Sequence, residues 1–250
     1  MVKVKEVVGF LNRELDTSKL KDYSKNGLQV KGRKEIKNVG FAVDANLPTF
    51  KKASREKVDL LVVHHGIKWK LDKERKVNKL RAEAVKKTGM SLYAVHLPLD
   101  AHYKYGNNIG LCELLRLGKR RKFGRYGSSK VGYKGEFANV KSLSWIKRVL
   151  DKELGADCKI YNFGKKKIKT IGVVSGGAGE FIGEAVKEGL DCFIVGEIKL
   201  GDYNRARDLG LSLIVGGHYA TETVGVKILQ KLVKEKFGVK TKFIKVDTPI

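Results

Sequence analysis

The sequence has few cysteines, few prolines and no long apolar run. Among its 250 residues only 3 are cysteine and 3 are proline. Cys112, Cys158 and Cys192 lie far apart and form no CxxC pair, which argues against both a disulfide framework and a thiolate zinc site. No apolar segment approaches the roughly 18–20 residues that a membrane-spanning helix needs, and residues 1–16 have the pattern of an amphipathic helix without a cleavable signal. These absences favour a soluble protein of the reducing cytoplasm that has no membrane partner.

Acidic residues are also scarce compared with basic ones. The chain has 52 Lys and Arg residues against 27 Asp and Glu residues, which gives a formal net charge of +25. The excess is larger in residues 1–125 than in residues 126–250. A field of this strength concentrates phosphates or nucleic acid near the surface, so the composition points to an anionic partner without identifying it.

Apolar segments rich in β-branched residues alternate along the chain with segments of helical periodicity. This order predicts an α/β fold with mainly parallel sheets flanked by helices. The pattern occurs in both halves, which indicates two similar α/β domains, 1–125 and 126–250. Between them, the basic, glycine-rich segment 116–137 is typical of a linker that runs into a strand or hairpin. The predicted strands are IKNVGFAVDA (36–45), DLLVVHH (59–65), SLYAVHLPLD (91–100), TIGVVSGG (170–177), DCFIVGE (191–197) and LSLIVGGH (211–218).

The five histidines are placed at three predicted strand ends. The first strand end carries His64 and His65, the second His96 and His102, and the third His218. The carboxyl ends of parallel strands meet at one edge of a sheet, where α/β proteins place their sites. Because neighbouring residues of a strand point to opposite faces, the first pair can share a site only where the strand gives way to a turn at the following glycine.

Carboxylates accompany these histidines. Asp100 lies between His96 and His102, and Glu222 follows His218 at a spacing of four, which places those two on one face of a helix. Imidazoles and carboxylates without thiolates suit zinc, manganese or iron. So many ligands exceed what one open catalytic ion needs, and they would serve two divalent ions about 3.5–4 Å apart.

An ordinary structural role competes with metal binding at each position. A single histidine at a strand end is more often a hydrogen-bonded structural residue than a ligand, but three clusters at one type of edge favour a shared site. His102 lies beyond its strand, beside Tyr103 and Lys104, and we expect it to be structural. We expect His96 either to orient a ligand or a substrate or to transfer protons.

Five separated motifs give the chain a resemblance to a known family. In order along the sequence they are VVHHGIKWK, AVHLPLDAHYKYGNN, VSGGAGEF, VGEIKLGD and GGHYATETVG. The series resembles that of the NIF-three-like family, whose members are commonly named GTP cyclohydrolase 1 type 2 homologs. The resemblance implies two similar α/β domains, a dinuclear metal site in the cleft between them and a ring-like homohexamer. By motif, it implies the metal ligands His64, His65, Asp100, His218 and Glu222.

These observations predict a dinuclear-metal-binding protein that hydrolyses an anionic, nucleotide-like substrate. His96 and Glu197 are the candidate catalytic residues, with proton transfer as their role. If the family name describes the chemistry, the reacting atom is C8 of the GTP purine, and formate is released. Two alternatives use the same residues: a metal-dependent phosphoesterase, and a ring-shaped metal- or nucleic-acid-binding protein without hydrolase activity.

Two further segments have compositions that fit anion binding. Residues 116–134 interleave basic side chains with Phe123, Tyr126 and Tyr133, as in surfaces that follow a nucleic-acid backbone and stack on its bases. A solvated basic loop has the same composition. The glycines of SGGAGEF (175–181) could turn backbone N–H groups toward an anion, or they could form a tight turn between strand and helix.

Overall fold

The computed structural model describes residues 1–70, 75–246 and 248, and the chain forms two compact units. The first unit comprises Met1–Leu99 and Val226–Asp247, and the second comprises Asp100–Gly225. Each unit has a sheet flanked by helices, which confirms the predicted α/β fold class. The predicted boundary near residue 125 lies within the second unit, and a division of the chain there into two folding domains stays a prediction.

Strands and helices alternate along most of the chain. The elements up to residue 101 are β1 (Val2–Lys3), α1 (Val4–Glu14), β2 (Gly27–Val30), β3 (Glu35–Ile36), β4 (Asn38–Asp44), α2 (Leu47–Arg55), β5 (Leu60–His65), α3 (Arg75–Thr88), β6 (Ser91–Ala94) and α4 (Leu97–Ala101). The later elements are α5 (Asn107–Leu114), β7 (Gly118–Tyr126), β8 (Ser129–Ser142), α6 (Leu143–Leu154), β9 (Lys159–Tyr161), β10 (Lys167–Gly177), α7 (Ile182–Lys187), β11 (Cys192–Glu197), α8 (Leu200–Asp208), β12 (Ser212–Val215), α9 (His218–Phe237) and β13 (Lys240–Phe243). Within the described ranges, no helix combines the length and the hydropathy needed to cross a bilayer.

The first unit is built on a five-stranded sheet of order β13-β4-β5-β6-β2. β13, β4, β5 and β6 are parallel, and β2 is antiparallel to β6 at one edge. The four apolar residues that begin β5 are all buried, as expected for a central strand covered on both faces. Helix α2 begins after Asn46, whose side-chain oxygen accepts the N–H of Thr49, and Phe50 of this helix packs into the core. At the carboxyl ends of β4 and β5, Asp44 lies opposite His65.

The second unit is built on a six-stranded sheet of order β7-β8-β10-β11-β12-β9. β10, β11 and β12 are parallel, whereas β7, β8 and β9 run antiparallel to their neighbours. Most of segment 116–137 forms the β7–β8 hairpin, so the predicted hairpin is present and begins at Gly118. Helix α6 begins after Ser142, whose hydroxyl accepts the N–H of Trp145, and it ends at Gly155 in the left-handed conformation that favours glycine.

The two units use the same contacts in front of their central strands. Asp59 precedes β5 and accepts two backbone N–H groups at the start of β4, together with a hydrogen bond from Arg33 at 2.7 Å. Asp191 precedes β11 and accepts two backbone N–H groups of β10, together with one from the Lys165 ammonium at 2.6 Å. Burial raises the pKa of each carboxyl, but these donors outweigh burial and hold each pKa below its usual range.

A second pair of contacts repeats in the same way. In each unit, the hydroxyl of the serine that begins the next strand, Ser91 or Ser212, accepts a glycine N–H at 3.0 Å. Counting from the aspartate that precedes the central strand, His65 in the first unit corresponds to Glu197 in the second. The strand end that carries a histidine in one unit therefore carries a carboxylate in the other.

Two predicted boundaries near the candidate site differ from the structure. The predicted strand 91–100 ends at Ala94, and Asp100 lies in the short helix α4. Pro98, at the second position of α4, has the fixed backbone angle that suits the first turn of a helix, which explains why the strand does not continue. The predicted strand 211–218 ends at Val215, and helix α9 begins at His218.

Candidate metal centre

Strand β5 ends with two adjacent histidines at the carboxyl edge of the first unit's sheet. His64 is fully buried, and its Nδ1 lies 2.9 Å from the Val95 carbonyl oxygen. The chain then passes Gly66, where a Cβ would come within 2.4 Å of the Gln29 side chain. Only a residue without a side chain fits at position 66. The ring centroids of His64 and His65 lie 4.7 Å apart.

Two carboxylates orient the other histidines of this unit. His65 Nδ1 lies 2.9 Å from Asp44 Oδ1, and His96 Nδ1 lies 3.0 Å from Asp22 Oδ1. Asp22 also accepts two backbone N–H groups. Burial raises the pKa of Asp22, but the hydrogen bonds and the attraction to His96 outweigh burial and lower this pKa to about 2. Asp22 is therefore ionised at neutral pH and accepts the His96 Nδ1–H.

We call His64, His65 and His96 the histidine cluster. Their ring centroids lie 4.7–5.5 Å apart, and the nitrogens that the rings can offer to an ion lie within 4.8 Å of one another. Because an oxygen engages the Nδ1 of each ring, Nε2 is the nitrogen suited to bind a metal. Histidine ligands of metal ions are commonly held in this way, so the cluster has the arrangement of a metal-binding group.

The second unit brings two buried carboxylates together. Asp100 is 6% exposed and Glu222 is 2% exposed, and an oxygen of one lies within 4.8 Å of an oxygen of the other. Asp100 accepts hydrogen bonds from Asn107 at 2.8 Å and from Ser175 at 3.1 Å. Two carboxylates so close together and out of water repel each other and have lost their hydration, and a cation between them offsets both costs. The pair therefore fits a metal ion.

His218 lies beside this pair in the first turn of α9. Its Nε2 is 3.2 Å from Glu222 Oε1, and its Nδ1 is 3.1 Å from Glu197 Oε1. Burial lowers the pKa of His218, but the two glutamates outweigh burial and raise this pKa to about 9. The imidazole is then protonated at neutral pH, and a metal ion that binds to it must displace a proton.

The backbone leaves room for these side chains at Gly176. This residue has a φ of +67°, which favours glycine, and a Cβ there would lie 2.4 Å from Glu222 Oε1 and 3.2 Å from His218 Nε2. A larger residue would push both side chains out of their present positions. The absence of a side chain at this position is thus a requirement of the candidate centre.

The remaining glycines of the turn 175–181 also face carboxylates. A Cβ on Gly177 would lie 3.2 Å from Glu197, and one on Gly179 would lie 2.2 Å from Asp202. The helix that follows, α7, has only six residues. Carboxylates near the turn would repel an anion, and the short helix offers little stabilisation to one. The turn 175–181 is therefore better explained as a tight turn between strand and helix than as an anion-binding loop.

The basic hairpin exposes less aromatic surface than its sequence predicts. Phe123 and Tyr133 are 0% and 5% exposed, so two of the three predicted stacking side chains belong to the core. Several of its cations form ion pairs with acids of the second unit: Lys119 with Glu136, Arg120 with Glu113, and Lys134 with Glu188. Basic side chains remain at the surface, where Lys122 Nζ lies 4.4 Å from the centroid of the Tyr133 ring and Tyr126 is half-buried.

His102 lies outside both groups of candidate ligands, as the sequence predicts. Its Nδ1 accepts the backbone N–H groups of Lys104 and Tyr105 at 3.2 and 2.9 Å, and its ring stacks on Tyr105 with centroids 5.0 Å apart. These contacts hold the loop after α4 and give the histidine a structural role.

Sequence reasoning missed three residues of the centre. Asp44 ends a predicted strand, so the rule that located the histidines could have found it. Asp22 lies in a segment without strand or helix periodicity, and only the fold brings it to His96. The Trp69 ring centroid lies 5.2 Å from that of His96 and 6.3 Å from that of His65, a proximity that no motif indicated.

Known proteins resemble this chain over nearly its whole length. The family model of Duf34/NIF3 (NGG1p interacting factor 3) matches residues 2–249. A Pyrococcus horikoshii protein named GTP cyclohydrolase 1 type 2 homolog is 48% identical over 241 residues, which cover 96% of each chain. An Archaeoglobus fulgidus protein of the same name is 35% identical over 97% of this chain and 98% of its own. A crystal structure of a Thermus thermophilus protein is 33% identical, covers 100% of both chains and has a TM-score of 0.88.

Proposed function

Because this chain belongs to the Duf34/NIF3 family, we propose that it binds two divalent metal ions and hydrolyses an anionic, nucleotide-like substrate. The observation that carries the proposal is the pair of buried carboxylates, Asp100 and Glu222, beside His218. A cation stabilises such a group, and His64 and His65 of the histidine cluster add two nitrogen donors. This combination of imidazoles and carboxylates suits zinc, manganese or iron.

The proposed ligands are all buried or half-buried: His64, His65, Asp100, His218 and Glu222. Their two carboxylates neutralise only half of the charge of two divalent ions, so the site favours an anionic substrate. When bound, the ions would supply Lewis-acid activation of water and of the substrate. The protein would supply the ligand geometry, which Asp44, the Val95 carbonyl and Gly176 maintain.

His96 is the proposed proton carrier. Its Nδ1 donates to the ionised Asp22, which fixes the orientation of the ring and leaves Nε2 as the position for proton exchange. An imidazole oriented by a carboxylate is a common arrangement in general acid–base catalysis. Glu197 is the second candidate, because its side chain is 46% exposed and can exchange protons with solvent.

The name of the relatives suggests GTP as the substrate. Hydrolysis at C8 of the purine consumes two water molecules, opens the five-membered ring and releases the carbon as formate. The same ligands and the same net charge would also serve a phosphoesterase, which would release phosphate from the nucleotide. The product therefore distinguishes the proposed activity from this second candidate.

The test is to incubate metal-loaded protein with GTP and to quantify formate and phosphate separately. We expect formate without phosphate, and a rate lowered about 100-fold or more in His96→Gln, in line with the loss of one acid–base group. The matched control is His102→Gln, because this histidine lies outside the centre, and its rate should equal that of the wild type. Phosphate without formate would support the phosphoesterase, and neither product from protein that holds two ions per chain would overturn the hydrolase.

We further propose that the chain works in the cytoplasm as a homohexamer. Support for the assembly comes from the family resemblance. The exposed cations Arg121 and Arg125 of strand β7 support an additional, sequence-independent affinity for nucleic acid.

A further inference from the structure

The first unit contains a cavity of about 590 Å³ away from the histidine cluster. It is bordered by the start of α1, by the segment that follows β2, and by Ser91, the first residue of β6. The histidine cluster lies at the carboxyl ends of β5 and β6, so this cavity lies at the opposite, amino edge of the same sheet. We call it the amino-edge cavity. Its volume falls in the range of roughly 300–1,000 Å³ that is usual for small-molecule sites.

Basic side chains surround the amino-edge cavity. Arg33 is neutralised by Asp59 at 2.7 Å, and Glu35 is a carboxylate of the lining. Four lysines are exposed, and none of them forms an ion pair with a carboxylate of the described residues: Lys3, Lys5, Lys31 and Lys34. Like charges gathered around one concave surface repel each other and create a positive potential within it, and a bound anion would relieve the repulsion.

The floor of the cavity is apolar. Val4 and Val8 of α1 and Leu28 of β2 line it, and Val4 is only 6% exposed. A fully hydrated inorganic anion would leave these side chains in contact with water. A ligand that carries both an anionic group and an apolar body would match the basic rim and cover the apolar floor at the same time.

We propose that the amino-edge cavity binds a small phosphate monoester with an apolar alkyl or aryl body. A phosphate monoester carries about −1.5 to −2 charges at neutral pH, so it balances several lysines better than a carboxylate does. Lysine ammonium groups bind phosphate as point charges and need no fixed bidentate geometry, which suits four flexible side chains on different segments. Nothing in this assignment depends on the chemistry at the histidine cluster.

Isothermal titration calorimetry of the metal-loaded full chain tests the ligand class. The probes are octyl phosphate, octanoate, octanol and inorganic phosphate, each kept below its aggregation concentration. We expect one octyl phosphate per chain, bound about tenfold or more tightly than any other probe, because only this probe offers both the dianion and the apolar chain. Affinity for inorganic phosphate or octanol within threefold of that for octyl phosphate would overturn the proposal, and equal affinity for octanoate would overturn the assignment of a phosphate.

A charge-reversal pair locates the binding site. Lys31→Glu combined with Lys34→Glu should weaken octyl phosphate binding about tenfold or more, because two attractive charges become repulsive. The control combines Lys51→Glu and Lys79→Glu, which change the net charge by the same amount at exposed positions of α2 and α3 that do not line the cavity. Equal weakening in both double variants would mean that only the overall charge matters, and this would overturn the proposal.

Three further variants distinguish binding in the amino-edge cavity from binding at the metal centre. Val8→Trp fills the cavity and should abolish octyl phosphate binding, whereas Val77→Trp, on exposed helix α3, should leave it unchanged. Glu222→Ala, in which we expect metal to be lost, should retain octyl phosphate binding. Binding that survives Val8→Trp, or that disappears in Glu222→Ala, would place the ligand elsewhere and overturn the proposal. Circular dichroism of each variant verifies that it is folded.

Discussion

At the scale of single residues, the contact between Asp22 and His96 couples a candidate catalytic side chain to the stability of the fold. The pKa of Asp22 is about 2 in the folded protein, below the ordinary value of 3.8. The ionised carboxylate therefore stabilises the fold fully above about pH 4, and the contribution is lost as the pH falls toward 2. We expect Asp22→Asn to lower the free energy of unfolding by about 2 kcal/mol at pH 7 and by much less at pH 2.

Urea denaturation at several pH values measures this difference. The exposed Asp208, at the end of α8, gives a control in Asp208→Asn, for which we expect a change within about 0.5 kcal/mol at every pH. A loss in Asp22→Asn that stayed constant from pH 7 to pH 2 would contradict the role assigned to the ionised carboxylate.

Gly176 allows metal binding to be separated from backbone strain. Alanine at this position would be strained at a φ of +67° and would also lie 2.4 Å from Glu222 Oε1. Gly155 has a similar φ of +64°, but a Cβ there meets nothing within 4 Å. We expect both Gly→Ala variants to lose about 1 kcal/mol of unfolding free energy, and only Gly176→Ala to lose bound metal. Equal metal content in the two variants, measured by mass spectrometry, would contradict the steric role of Gly176.

The sequence allowed the candidate ligands to be predicted because they lie next to regular elements. His64 and His65 end a strongly apolar strand, and the spacing of His218 and Glu222 is that of one helix face. Asp22 could not be predicted in this way, since its contact with His96 joins residues 74 positions apart, and neither local periodicity nor a motif encodes it.

At the scale of secondary-structure elements, the aspartates before the central strands tie neighbouring strands together. Asp191 accepts two backbone N–H groups and the Lys165 ammonium, so Asp191→Ala should lower the free energy of unfolding by about 2–3 kcal/mol. The pKa of this carboxyl lies below its usual range, so the loss should be largest at neutral pH and should shrink as the pH falls through the range where the carboxyl is protonated.

Hydrogen exchange shows which strands each aspartate holds. We expect Asp191→Ala to speed exchange in β10 and β11, and Asp59→Ala to speed exchange in β4 and β5, because each carboxylate precedes one of these strands and accepts backbone N–H groups at its neighbour. The exposed Asp208→Ala again gives the control. A uniform acceleration in both sheets from either variant would contradict local stabilisation by these aspartates.

Most elements could be predicted from periodicity, and the exceptions have local causes. The alternation of apolar strands and amphipathic helices is strong in both halves of the chain, so the α/β class follows from it. Helix α4 was missed because the strand pattern continues through Leu97 and Leu99, while Pro98 favours a helix start. Segment 116–137 is predicted as a linker that runs into a strand or hairpin, and its glycines belong to the hairpin because they occupy close strand contacts. A Cβ on Gly132, for example, would lie 2.6 Å from the Val173 carbonyl oxygen.

At the scale of the whole molecule, the net charge of +25 predicts non-specific binding to nucleic acid that salt suppresses. Each phosphate contact contributes about 0.9 to the slope of log affinity against log salt for duplex DNA, so Arg121→Glu with Arg125→Glu should reduce this slope by about two. Filter binding between 50 and 200 mM salt measures the slope of log affinity against log salt. The control, Lys86→Glu with Lys152→Glu, has the same net charge and should keep the slope, and a salt-independent affinity would contradict electrostatic binding.

The metal content of the whole chain tests the central claim most directly. Inductively coupled plasma mass spectrometry should find two divalent ions per wild-type chain, fewer in His65→Ala and in Glu222→Ala, and two in His102→Ala, because only the first two variants remove a proposed ligand. Retention of two ions per chain in both His65→Ala and Glu222→Ala would contradict the ligand assignment and, with it, the proposed metal-dependent function.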